Sequence, residues 1–179
     1  MKVTLYLMVA ALFAGSAWAR LGETEAEAQQ RYGQPTRDGR DIQKLTGHYI
    51  PGSPFELNYV KNGVEITAQY FPLAAGTNVI GQIEYTFKSV DAAAAVVERL
   101  LDANSAGQPW TKSPATDNNE PAAVIYRRTG AIAIVRLLRS AIVLRSDAYP
   151  AYCQAFADKQ IADEKAKANS EALKSVQGF

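Results

Sequence analysis

Few residues in this chain of 179 have the types and spacing that enzymatic chemistry needs. His48 is the only histidine, so a metal site or a proton relay built on two imidazoles is excluded. It sits in Gly47-His48-Tyr49 with no carboxylate pair beside it, which reads as a surface or partly buried structural residue rather than a general base. Cys153 is the only cysteine, so no internal disulfide can form. A thiolate nucleophile would need His48 across space, whereas the position of Cys153 on an apolar helical stripe predicts a buried, reduced side chain. Carboxylates such as Glu65 and Glu84, outward on the wet side of the first meander, could serve as the acid and base of a small hydrolase. Outward carboxylates are ordinarily just solvated. Nucleophile elbow, phosphate loop and dinucleotide fingerprint are all missing, so the sequence predicts no catalytic residue, no metal and no cofactor.

Arginine is the charged residue with a pattern. Arg127, Arg128, Arg136, Arg139 and Arg145 fall in a stretch that has no acid between Ala122 and Ser146. Arg127 and Arg136 share an alternation class with Ile132 and Ile134, and with Arg145 these residues form a candidate partner-binding surface, basic and apolar together. The competing expectation is that the arginines pair with acidic residues of the last helix.

The first nineteen residues state a destination. Met1-Lys2 is a short basic start, Val3 to Ala14 is apolar apart from Thr4, and Ala17-Trp18-Ala19 places small residues where a signal peptidase reads. This predicts a signal peptide over 1–19 and a bacterial periplasmic or secreted protein, with no stable membrane insertion after cleavage. Removing Lys2 with the leader leaves equal numbers of basic and acidic residues in the mature chain, a balance that argues against nucleic acid as a partner.

The mature chain reads as one α+β domain over 20–157 with an exposed helical tail over 158–179. Thr24 and Glu27 form a capping box, and Gly33 and Pro35 stop a helix over Thr24 to Tyr32. Phe55, Leu57 and Tyr59 alternate with polar residues, Asn62-Gly63 is a hairpin turn, and Val64, Ile66, Ala68 and Tyr70 return, pairing Tyr59 with Ile66 and Leu57 with Ala68. A third strand over Val79 to Phe87 completes a meander. A strand is also expected at Thr46 to Ile50. Asp91 to Asn104 carries the helical stripe Ala93, Val96, Val97 and Leu100, and Trp110 in the following loop is expected to anchor in the core. From Ala122 a second meander turns near Thr129-Gly130 and Arg139-Ser140. Its strand over Ala131 to Leu138 is apolar on both faces, so Ile132 and Ile134 require a cover, expected to be the last helix. That helix starts near Tyr149 and docks by Tyr149, Tyr152, Cys153 and Phe156; the stripe then turns polar at Gln160, Asp163, Glu164 and Lys167.

The element order predicts two helix-plus-meander repeats, about 22–88 and 89–146, with Gly33-Gln34-Pro35-Thr36 and Gly107-Gln108-Pro109 in matching places. Gly22-x-Thr24, the acidic helix, Gly33-x-Pro35 and the meander resemble the small periplasmic domains of the β-lactamase-inhibitor-protein-like fold, which include the lipoprotein of the outer-membrane β-barrel assembly machine. The same residues are similar to short secreted bacterial proteins of unassigned function. Two features differ from that pattern: the lipoprotein cysteine is missing, and Ala28 stands where a larger aliphatic residue is usual. The resemblance implies a non-enzymatic protein-binding or envelope-associated module that acts through an exposed sheet face on an envelope protein. A small hydrolase using outward carboxylates and a purely structural envelope component are the alternatives.

If the leader is read this way, exported protein begins at Arg20. Mass spectrometry of the secreted chain checks it, and recovery of residues 1–19 still attached in the membrane fraction would refute it.

Overall fold

The computed structural model describes residues 20–45, 53–73, 76–114 and 123–176. His48, the strand expected at 46–50 and the leader at 1–19 lie outside the described residues. The fold is α+β: eight antiparallel strands make one sheet, with short helices and a long C-terminal helix. In chain order the elements are α1 (Glu25–Tyr32), β1 (Arg37–Asp38), α2 (Gly39–Leu45), β2 (Phe55–Lys61), β3 (Val64–Pro72), β4 (Asn78–Thr86), α3 (Val90–Ala94), α4 (Val97–Ala103), β5 (Thr111–Lys112), β6 (Val124–Arg128), β7 (Ala131–Arg136), β8 (Ala141–Ser146) and α5 (Ala148–Val176).

The strand order β1-β2-β3-β4-β8-β7-β6-β5 arranges the two halves as mirror counterparts in sequence. Each half runs helix, two-residue strand, three-stranded meander, and the halves meet where β4 pairs antiparallel with β8. Both meanders form for local reasons. Asn62 and Gly63 take positive φ at the first hairpin, as a tight two-residue turn requires, and the register pairs Tyr59 with Ile66 and Leu57 with Ala68 as the alternation predicts.

One face of the sheet, here the inner face, holds the core. Leu57, Ile66, Ala68, Ile83, Ile142 and Leu144 are buried there against Ala28 and Tyr32 of α1, Ala93 of α3 and Leu100 and Leu101 of α4. Each large side chain buried in this way contributes roughly 1.5–3 kcal/mol. The capping box of α1 is formed, with the Thr24 hydroxyl accepting from the Glu27 amide and the Glu27 carboxylate accepting from the Thr24 amide. Trp110 is half-buried against the core and its indole N–H donates to the Leu101 carbonyl at 2.7 Å, the anchoring role its isolated position suggests.

Three elements differ from the sequence reading. The helix expected over Asp91 to Asn104 is two helices, broken at Ala95–Val96; Val96 and Val97 are adjacent β-branched residues, which are crowded within a continuous helix, and Val96 starts the second piece without a side-chain cap. Residues Gly39–Leu45, polar enough to read as irregular, form α2. The β7 strand ends at Arg136, because Leu137–Arg139 coil into a 3-10 turn closed by Ser140 at φ 49°.

The inner core also contains four tyrosines. Tyr59, Tyr70 and Tyr85 are at most 1% exposed and Tyr32 5%. The Tyr59 and Tyr70 hydroxyls lie 3.3 Å apart, the Tyr32 and Tyr59 rings 5.6 Å apart, and the Phe55 and Tyr70 rings stack at 5.2 Å. Burial pushes all four hydroxyls above the ordinary tyrosine value of 10.0. A raised folded value means the folded state keeps protons that the unfolded chain loses, so this contribution to stability is complete below about pH 10 and declines above it. Denaturant titrations should show stability falling above about pH 10 by about 1.4 kcal/mol per pH unit for each tyrosine still protonated in the fold. Tyr70→Phe should make that alkaline decline shallower by one such increment.

Candidate functional site

The face of the sheet opposite α1, α3 and α4, the outer face, is where the predicted site residues fall. Arg127 pairs with Ile132, Ile132 with Arg145, Arg145 with Gln82, Gln82 with Gln69 and Gln69 with Glu56, so one row crosses six strands. The next row runs Ile125, Ile134, Val143, Glu84, Thr67 and Asn58. Arg136 is two residues from Ile134 on β7 and so shares its face. All five candidates, Arg127, Arg136, Arg145, Ile132 and Ile134, therefore lie on one surface.

That surface has two halves. On β2, β3 and β4 it is polar and partly exposed: the Gln82 amide donates to the Gln69 carbonyl oxygen at 2.9 Å, and the Asn58 amide to the Thr67 hydroxyl at 3.0 Å. On β6, β7 and β8 it is an apolar cluster of Ala123, Ile125, Ile132, Ile134 and Val143 beside the three arginines. Arg127 is exposed, and Arg136 and Arg145 are half-buried. Ile132 and Ile134 are each only 7% exposed, in keeping with the cover that a strand apolar on both faces requires. The arginines and the polar rows are what this face offers to solvent.

The C-terminal helix is not placed over Ile132 and Ile134 as expected. Leaving β8 at Ser146, the chain turns away from β7 and docks α5 toward β3 and β4. The Tyr149 and Tyr152 rings lie 5.8 and 5.5 Å from that of Phe71, and Tyr152 stacks on Phe156 at 6.2 Å. Local geometry explains the choice of seat. The β3–β4 register slips between Gln69 and Tyr70, leaving Gly81 as the extra residue, and the space a side chain would fill there is occupied by Tyr149 and Phe71. Cys153 is half-buried rather than buried, because the helix meets the sheet at this bulge by its first turns only. Beyond Phe156 the helix is exposed through Ala172 except for the partly covered Gln160, as the polar turn of the stripe predicts.

Among the concavities formed by the described residues, three adjoin these elements. One of about 280 Å³ lies on the outer face between α2 and α5, lined by Arg37, Gln43, Glu56, Gln69 and Tyr149. A second, of about 410 Å³, is lined by Arg20, Asp102, Asn104 and Arg128. The third, about 490 Å³, is a groove on the inner face between α4 and β6–β7, with Val97, Glu98, Arg99, Val124, Tyr126 and Val135 in its walls. Glu65 and Glu84 line none of the three. They occupy diagonal positions on β3 and β4, since Glu65 pairs with Thr86 and Glu84 with Thr67. Among the described residues no three His, Cys, Asp or Glu side chains are grouped as metal ligands, and no helix is long and apolar enough to cross a membrane.

Several other charged residues are engaged in structure. Arg40 contacts Asp38 at 2.6 Å and Glu25 at 3.0 Å and lies 4.4 Å over the Phe55 ring, and its hydrogen bonds hold the Asp38 carboxyl below the ordinary aspartate value. Arg128, next to the candidate Arg127, faces the other way: it donates to the Asn104 carbonyl at 2.8 Å and stacks 5.1 Å over Trp110, and burial lowers its pKa. Sequence reasoning missed Glu56, Gln69 and Gln82 as members of the arginine row. Only the pairing of β4 with β8 aligns them, and nothing local encodes that register.

Compared with protein-family models, curated proteins and solved structures, the chain matches none.

Gly81→Ala tests the seat of α5. The added carbon would stand 2.5–2.7 Å from Tyr149 and Phe71 atoms, so the helix must shift, at a cost of about 1–3 kcal/mol. Thermal melts should fall accordingly, and Cys153 should react faster with a thiol reagent in the variant.

Proposed function

We propose that this protein is an exported, non-enzymatic module that binds an envelope protein through the outer face of its sheet. The observation that carries the reading is the alignment of Arg127, Arg136 and Arg145 with the polar rows of β2–β4 on one broad face. Two further features support it. Helices α1, α3 and α4 cover the inner face, while on the outer face Arg127 is exposed and Arg136, Arg145 and Gln82 are partly exposed, within reach of a partner. Both sheet edges are also closed by two-residue strands: β1 pairs with Asn58 and Leu57 of β2, and β5 with Tyr126 and Arg127 of β6. The Thr36 and Ser113 amides donate to the Asn58 and Ile125 carbonyls and extend the same closure. Strand addition at an edge is thereby disfavoured, and recognition falls to side chains on the face. The arginines select a partner with an acidic surface, and steer its approach in a salt-dependent way.

Photo-cross-linking in the native envelope tests this. A reactive residue at Gln82 or Thr67 should trap a partner that one at Ala26, on the exposed side of α1, does not. Arg127→Glu with Arg145→Glu should weaken capture by about tenfold or more, equivalent to about 1.4 kcal/mol. Adducts from Ala26 alone would refute the reading.

A further inference from the structure

Register sorts the charges of the outer face by half. Among the described residues, β2, β3 and β4 place the carboxylates Glu56, Glu65 and Glu84 on that face and no cation, while β8, β7 and β6 place Arg145, Arg136 and Arg127 there and no acid. The edge strand β1 adds Arg37 beside Asn58. Glu65 and Arg127 are exposed, and Glu56, Glu84, Arg136 and Arg145 are partly exposed. Arg136 is engaged within the chain, whereas Glu56, Glu65, Glu84, Arg127 and Arg145 have no ion pair among the described residues. The outermost charges cannot satisfy each other in one copy. Glu56 and Arg127 end the same row five strand spacings apart, roughly 24 Å.

A face that is acidic in one half and basic in the other is complementary to itself. When two copies meet outer face to outer face, a twofold axis running along the β4–β8 seam sets β2 of each over β6 of the other, β3 over β7 and β4 over β8. Followed along the rows, this places Glu56 against Arg127 of the second copy, Glu65 against its Arg136 and Gln82 against its Arg145, each contact being made twice. Val60, 53% exposed in the row of Glu65, faces the start of β6. A twofold axis across the strands would instead lay acidic half on acidic half. Helix α5 is seated at Phe71 and Gly81, beyond the row of Gln69 and Gln82. Six strands about 4.8 Å apart and three rows about 6.8 Å apart cover roughly 600 Å² per copy. Two copies therefore bury about 1,200 Å², the lower end for a specific interface, as suits a reversible contact.

We propose that the outer face pairs with the outer face of a second copy of this chain, in a reversible twofold dimer that sets acidic half on basic half. The inference rests on the outer face being a recognition surface, and it names an occupant with which an envelope partner must compete.

Sedimentation velocity of the purified exported chain over a concentration series, with no envelope component present, tests it. The chain should pass from monomer to dimer as concentration rises, and about 0.5 M salt should reverse this. Arg127→Glu and Glu56→Lys should each weaken the dimer about tenfold or more, because two pairs are lost and like charges meet. Mixing these two variants should restore association, since every contact then joins opposite charges, and so should both changes in one chain. Glu98→Lys, on α4 of the inner side, should change nothing, and melting temperatures should show that each variant remains folded. A photo-reactive residue at Val60 gives a measurement that needs no charge reversal: it should cross-link to residues 123–125 of a second copy. A chain still monomeric at about 1 mM, mixed variants that associate no better than either alone, or Val60 adducts confined to other segments would overturn the inference. A monomeric chain whose Gln82 still traps a different envelope protein refutes the dimer and leaves the outer-face reading standing. A dimer with no such adduct supports the dimer and removes the envelope partner.

Discussion

The pairing of β4 with β8 is the interaction on which the rest of this structure depends. Gln82 to Thr86 lie antiparallel against Arg145 to Ala141, and this seam turns two three-stranded meanders into one eight-stranded sheet. Joined, they present a continuous inner surface on which Tyr85 and Ile83 from one half meet Ile142 and Leu144 from the other. Hydrogen bonding and hydrophobic burial reinforce each other at this seam, because the strands that supply the central ladder also supply the centre of the core.

The same seam fixes what the outer face can be. It sets Arg145 opposite Gln82 and so joins the basic, apolar half to the polar one. Had the register slipped by one residue, the arginines would point into the core, where an unpaired charge is prohibitive. Helices α1, α3 and α4 cover the inner face and two-residue strands end the sheet on both sides, so the outer face exposes side chains rather than a long strand edge. The first half of β4, which β8 does not reach, is paired by the segment just before α1: the Gly22 amide donates to the Ile80 carbonyl, and the Ile80 amide to the Glu23 carbonyl, both at 2.8 Å.

A single glycine decides where the long helix goes. Because Gly81 is the extra residue of a bulge and has no side chain, Tyr149 can lie against β4, and α5 is drawn toward Phe71 rather than over Ile132 and Ile134. The helix then leaves the fold with its distal turns exposed, which local propensity and solvation of its Lys and Glu side chains sustain.

Much of this was legible in the residues themselves. Alternation and Asn62-Gly63 determined the first hairpin and its register; Thr24, Glu27 and Gly33 determined α1; and the end of the apolar stripe at Phe156 determined where α5 leaves the core. These features are local, because each depends on side chains a few residues apart whose geometry the backbone period fixes. What tertiary structure alone decided is non-local. The β4–β8 register, the seat of α5 at Gly81 rather than over Ile132 and Ile134, and the half-buried position of Cys153 each depend on segments far apart in the chain. No periodicity within either partner specifies such a meeting; it follows from which surfaces can be buried together once both meanders exist.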